Sequence, residues 1–91
     1  MKDVVQKQLE AGVETPFHMR LKRCRFLVKN FTDGNIAVRL GDNLRHSTIG
    51  PLSYEVVFNN IDNAVSTVPD VTNIVTVIAE ASGLVEIASI D

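Results

Sequence analysis

The sequence predicts an all-β protein, an antiparallel β-sandwich or small barrel of about six strands with a short N-terminal helix or arm. Three observations carry this reading. Past Pro16, apolar residues recur at every second position, the period of a strand with one buried face. The apolar runs are bounded by Gly, Pro, Asn and Asp, the residues that turn a chain. They also succeed one another at about 8–12 residues, the spacing of antiparallel sandwiches. A chain of 91 residues makes one domain and leaves no room for a cleft between lobes. With 45% hydrophobic and 22% charged residues it has the apolar surface to offset chain entropy.

Residues 1–15 form the N-terminal arm or short helix, and residues 16–91 the single β-sandwich domain. Asp3 is placed to cap a helix in which Val5 and Leu9 share a face, ending near Gly12. So short a helix is marginal unless it packs on something. Phe17, Met19 and Leu21 then alternate with His18, Arg20 and Lys22. The phase slips at Arg23, since the next apolar set is Cys24, Phe26 and Val28, and such a slip requires a bulge or bend. Thr32-Asp33-Gly34-Asn35 reads as a tight hairpin leading into Ile36, Val38 and Leu40. Gly41-Asp42-Asn43 is a turn, and Gly50-Pro51 precedes Leu52–Phe58, where Tyr54, Val56 and Phe58 alternate with Ser53, Glu55 and Val57. Asn59–Asn63 reads as a polar loop and Val68-Pro69-Asp70 as a turn. Asn73–Ala81 is rich in β-branched residues and predicts a strand covered on both faces, and Ser82-Gly83 turns into a last strand, Leu84–Ile90. The expected core is Phe26, Val28, Ile36, Val38, Tyr54, Val56, Phe58, Val75, Val77 and Ile87.

The formal net charge is −2, yet all nine basic residues lie in the first half, residues 1–45, together with five acids. Residues 46–91 carry six acids and no Lys or Arg. Such asymmetry suits either association between unlike surfaces or interleaving of the two halves within one molecule, and the second is favoured. The lone Cys24 excludes an intramolecular disulfide and reads as a buried, inert thiol. No segment has the form of a signal peptide or membrane helix; the longest apolar patch, Ile74–Ala79, is too short to span a bilayer.

Catalysis finds little material. His18 and His46 are the only histidines, no nucleophile elbow accompanies them, and the acids are scattered, so neither catalytic residues nor an enzyme is expected. Metal ligands at short spacing are missing, and Asn59–Asn63 lacks the spacing and charge of a calcium loop, so no metal or cofactor is expected. The glycines make no phosphate cradle. Arg20, Lys22, Arg23, Arg25 and Lys29 cluster as a single-strand nucleic-acid binder's residues would, but Phe17 and Phe26 fall on core faces and the chain is acidic overall. Nucleic acid is therefore disfavoured, and Asn30-Phe31-Thr32 is read as a chance sequon.

The stretch Phe26-Leu27-Val28-Lys29-Asn30-Phe31-Thr32-Asp33-Gly34-Asn35-Ile36-Ala37-Val38 resembles the openings of small virion-associated proteins of tailed phages and prophages, which act as head decorations, fibres or tail components. Ile49–Tyr54 and Gly83-Leu84-Val85-Glu86-Ile87 correspond to that family's later turn and closing strand, so the resemblance covers residues 24–91. It departs from the family at Asn35, where an acid is commoner, and in the long Asn59–Asp70 connection. The resemblance implies a β-sandwich in a particle, with virion proteins as partners, residence in the virion or host cytoplasm, and no active-site residues. A small core without disulfide or metal also favours a homo-oligomer, whose interfaces cover sheet edges. The expected partner contacts are Arg20, Lys22, Arg25, Val5 and Leu9, with no membrane involvement. The alternative function is a carbohydrate-binding module, limited by a single Tyr and no Trp.

Overall fold

A computed structural model describes residues 3–41, 46–58, 60–62, 67–69 and 71–90. They form ten strands and no helix: β1 (Val4–Leu9), β2 (Thr15–Arg23), β3 (Arg25–Asn30), β4 (Ile36–Leu40), β5 (Ser47–Ile49), β6 (Ser53–Phe58), β7 (Asn60–Asp62), β8 (Thr67–Pro69), β9 (Thr72–Ala79) and β10 (Gly83–Ile90). Eight of them make two antiparallel four-stranded sheets, ordered β1-β10-β3-β6 and β2-β9-β4-β5, while β7 and β8 pair with each other. Both sheets turn their apolar faces into one buried cluster that includes Phe17, Val38, Val75 and Val77 from one and Phe26, Val28, Val85 and Ile87 from the other.

Residues 4–9 correct the expected N-terminal helix or arm. They run antiparallel to β10 over six residue pairs, with Val5 opposite Ile87 and Leu9 opposite Gly83, and Leu9 is only 1% exposed. Val5 and Leu9 are four apart and share a helix face, but with Lys7 they also share a strand face, and the unfilled edge of β10 selects the second option.

The chain changes sheets at Cys24, a bend between β2 in one sheet and β3 in the other, which is the phase slip expected there. Cys24 at this bend is half-buried rather than a core residue. The crossing distorts β2. Phe17 and His18 pair with Val75 and Ile74, but the next pair is Arg23 with Thr72, so the ladder loses register across the intervening residues. Backbone amides there need other partners. Asp3 supplies them: its Oδ1 accepts from the Arg20 amide and its Oδ2 from the Leu21 amide, each at 2.9 Å. The Ser89 hydroxyl of β10 donates to Oδ2 at 2.7 Å, and the Ser89 amide to the Asp3 carbonyl at 2.9 Å. Asp3 thus joins β1, β2 and β10 instead of capping a helix. Burial alone would raise its pKa; the Arg20 and Leu21 amides, the Ser89 hydroxyl and the Arg20 charge outweigh that and hold it below 3.8.

Thr32–Asn35 is likewise not the expected hairpin. The strands flanking it lie in different sheets: β3 pairs with β10 and β6, β4 with β9 and β5. The turn is a corner between layers, organised by two buried polar side chains. Asn30 Nδ2 donates to the Gly34, Ile49 and Gly50 carbonyls at 2.9, 3.3 and 2.8 Å. Asn30 Oδ1 accepts from the Thr32 amide at 2.9 Å and the Thr32 hydroxyl at 2.7 Å. The sequon asparagine is therefore 1% exposed with its amide nitrogen committed. Gly34 serves close approach here, because a Cβ would stand 3.2 Å from the Ala81 Cβ. Gly83 is tighter still, its Cβ position 2.8 Å from the Thr32 methyl.

Seven of the ten expected core residues are buried: Phe26, Val28, Ile36, Val38, Val75, Val77 and Ile87. Tyr54, Val56 and Phe58 are not. Strand β6 has the opposite phase, with Val57 inward at 5% exposure opposite Phe26, and Tyr54, Val56 and Phe58 outward. Tyr54-Glu55-Val56-Val57-Phe58 has apolar residues on both faces, so alternation alone cannot choose the phase, and β6 follows the register of β3. Strands β7 and β8 replace the expected loop and turn at Asn60–Asp62 and Val68-Pro69. Asp42, Asn43, Asn59, Asn63 and Asp70 lie outside the described residues, as do Met1 and Lys2 of the expected arm.

Replacing Asp3 by Asn puts an amide NH₂ where one of two backbone amides must donate. Asp3→Asn is expected to cost about 1–3 kcal/mol in urea unfolding. Because the folded carboxyl is held below its ordinary 3.8, its contribution is fully present above that value and is lost as pH falls through the lower folded pKa. The variant should accordingly show a shallower loss of stability between about pH 5 and 2 than the parent.

Candidate functional site

The register of the β1-β10-β3-β6 sheet fixes which side chains meet on its outer face. One row runs Val4, Ala88, Leu27, Val56 across all four strands. The row to one side is Ile90, Arg25, Phe58, and to the other Gln6, Glu86, Lys29, Tyr54. Tyr54 is 73% exposed, Val56 52%, Phe58 and Val4 44% each; Leu27, Ala88 and Ile90 are half-buried by their neighbours. Just beyond β3, Phe31 is exposed while its amide donates to the Leu84 carbonyl at 3.0 Å. This is a contiguous apolar surface with two aromatic rings, Tyr54 and Phe58, flanking Val56 on strand β6, of the kind that marks interaction sites.

A polar row crosses it. Glu86 Oε1 accepts from Gln6 Nε2 at 2.6 Å, and its Oε2 lies 3.4 Å from Lys29 Nζ. The Gln6 bond, against the opposing effect of burial, and the Lys29 ammonium hold the Glu86 carboxyl below its ordinary 4.5. Lys29 comes from the basic half of the chain and Glu86 from the acidic half, so their pairing is an instance of charge interleaving within one molecule.

The expected contact residues do not come together on this surface. Arg25 alone lies on it, opposite Phe58. Arg20 and Lys22 are exposed on β2, in the other sheet. Leu9 is buried and Val5 packs against the core, which corrects their assignment as partner contacts: pairing of β1 with β10 turns both inward. Tyr54, Val56, Phe58, Leu27 and Val4 were the residues to find. Their signal is uninterrupted apolar sequence, Phe26-Leu27-Val28 and Val56-Val57-Phe58, which makes both faces of a strand apolar.

Elsewhere, a shallow cleft of about 420 Å³ lies over the β4–β9 pair, lined among others by Asn35, Ala37, Thr48, Ile78 and Glu80. His18 and His46 are exposed, and among the described residues no group of three or more His, Cys, Asp or Glu is gathered to hold a metal. The calcium-loop reading of Asn59–Asn63 rests on side chains outside the described set. No helix among the described residues is long and apolar enough to cross a membrane.

Leu52 stands at the corner of the apolar face with φ +53° and 71% of its surface exposed. A left-handed backbone costs a leucine about 1–2 kcal/mol, and its side chain recovers little of that by packing. Leu52→Gly is expected to raise stability by about 0.5–1 kcal/mol in thermal melting, since relief of strain exceeds the added freedom of the unfolded chain. A lowered melting temperature would show that the Leu52 side chain is needed by the isolated fold. Comparison of the chain with protein-family models, with curated proteins and with solved structures returns no match.

Proposed function

We propose that this chain is a non-enzymatic structural protein, a β-sandwich that works by covering the outer face of its β1-β10-β3-β6 sheet with protein partners in a phage or prophage virion. The observation that carries the reading is the apolar row Val4, Ala88, Leu27, Val56 with Tyr54 and Phe58 beside it, on a face that has no layer over it among the described residues. Apolar residues on both faces of a sheet signify cover on both faces, and one chain of this size supplies only one. The particle context rests on the resemblance of residues 24–91 to small virion-associated proteins. The Asn30-Phe31-Thr32-Asp33-Gly34 element of that resemblance is here the polar corner between layers, a structural use that accords with a scaffold role.

A second reading takes an exposed aromatic ring of this face as a platform for a sugar ring, favoured by the 73% exposure of Tyr54. Single-stranded nucleic acid would require cations beside those rings; Arg25 stands opposite Phe58, but Lys29, opposite Tyr54, is drawn to Glu86.

Proteomic analysis of particles induced from the host strain tests the proposal. The chain is expected at a fixed copy number per particle, and Leu27→Glu, which places a charge in the middle of the apolar row, should leave the melting temperature within a few degrees while abolishing incorporation. Absence of the chain from purified particles would overturn the virion reading, and specific retention on a glycan array would support the second one.

A further inference from the structure

Each four-stranded sheet has two edges, and an unprotected edge invites another strand. Three of the four edges are blunted. Strand β5 is only three residues long. Strand β2 carries Pro16 and loses register beyond His18. Strand β1 points a charge to the core side at Lys7, whose Nζ donates to the Pro16 carbonyl at 2.7 Å and lies 5.5 Å from the centre of the Phe17 ring. Strand β6 is the least protected: its one charge, Glu55, falls in the core-side phase opposite Val28, but it stays exposed where Lys7 of β1 is half-buried against Phe17. Its six residues hold an unbroken register with β3, it contains neither proline nor lysine, and among the described residues no strand borders its other side.

We infer that β6 is the seam of a two-fold homodimer, in which it pairs antiparallel with β6 of a second copy, centred on Val56, to make one continuous eight-stranded sheet. This rests on the proposal that the chain works by protein contacts and names the first of its partners. Sequence chemistry selects the occupant and the register. Residues directly opposed in an antiparallel pair point to the same face, which restricts a two-fold axis to passing through a residue pair. An axis at Glu55 sets two carboxylates against each other and is disfavoured. An axis at Val56 sets Val56 against Val56, Tyr54 against Phe58 in both directions, and the one charged residue, Glu55, against Val57. Every pair on the outer face is then apolar or aromatic, the combination that stabilises cross-strand neighbours. The row Val4, Ala88, Leu27, Val56 continues without a break into the same row of the second copy.

The test is sedimentation of the full chain at micromolar concentration, together with cross-linking of Val56→Cys in a Cys24→Ser background. A particle of about 20 kDa is expected, twice the chain mass of 10.0 kDa. Val56→Cys should oxidise to a covalent dimer because directly opposed residues of an antiparallel pair bring their Cα atoms to about 4.5–5.5 Å, within disulfide reach. Gln8→Cys on β1 should remain monomeric, and Val56→Lys should sediment as a folded monomer with the parent's circular dichroism. A strict monomer at 100 micromolar overturns the seam, as does a dimer that Val56→Lys leaves intact and Val56→Cys fails to cross-link. Neither result touches incorporation into particles or its loss in Leu27→Glu, so failure of the seam and failure of the proposed function are read separately.

Discussion

The fold depends on one ribbon crossing between layers. Strands β2 and β3 are nearly continuous, yet they lie in opposite sheets, so the bend at Cys24 brings Phe17 and Met19 of one to face Phe26 and Val28 of the other across a common interior. All four side chains are buried, and together with valines from β9 and β10 they fill the space that makes two sheets one domain. The crossing strips β2 of part of its ladder to β9, and an amide left without a partner in a half-buried position costs about 1–3 kcal/mol. Asp3 removes that cost with two charge-assisted bonds. By reaching also to Ser89, the same carboxylate anchors the start of the first strand beside the end of the last.

At the other end of the molecule Asn30 and Thr32 do for the β3–β4 corner what Asp3 does for the crossing. A corner cannot satisfy its carbonyls by strand pairing, and Asn30 offers them a donor pair while its own oxygen is taken by Thr32. The Thr32 backbone and side chain come so close to β10 that the residue there must be glycine. The corner also sets the geometry of the exposed face, because Phe31 lies between Asn30 and Thr32 and the Leu52 amide donates to the Thr32 carbonyl at 3.2 Å. Two exposed apolar side chains are thus fixed by a buried polar cluster.

The all-β class was legible because period-two alternation is clear in β2 and β4, where Phe17 and Met19, and Ile36, Val38 and Leu40, are buried between more exposed residues. What was not legible follows from edges and corners. Val4–Leu9 is compatible with both a helix and a strand face, and the choice is made by β10, some eighty residues away. Thr32-Asp33-Gly34 signals reversal of the chain, but whether the reversal stays in one sheet depends on what Asn30 bonds, which spacing does not reveal. The phase of β6 was ambiguous for the reason that makes it interesting. A strand with one wet face advertises its orientation through its polar residues, whereas Tyr54–Phe58 has a single charge and apolar groups on either side. Basic residues drew attention to Arg20 and Lys22 as contacts, yet charge clustered in sequence is divided by the Cys24 bend between two sheets.

The same ambiguity bears on why the surface has its composition. An isolated domain would gain by having polar residues at Leu27, Val56 and Phe58, because an apolar outer face and an open six-residue edge favour indiscriminate association. Edge protection at β1, β2 and β5 excludes explanation by general neglect of that hazard, since three of four edges carry a specific device. Leu52 runs the same way: a residue with a strained backbone and an exposed side chain sits where glycine would serve the monomer better. Departures from the monomer's optimum that lie on one face and along one edge are the ones that the proposed assembly would bury together.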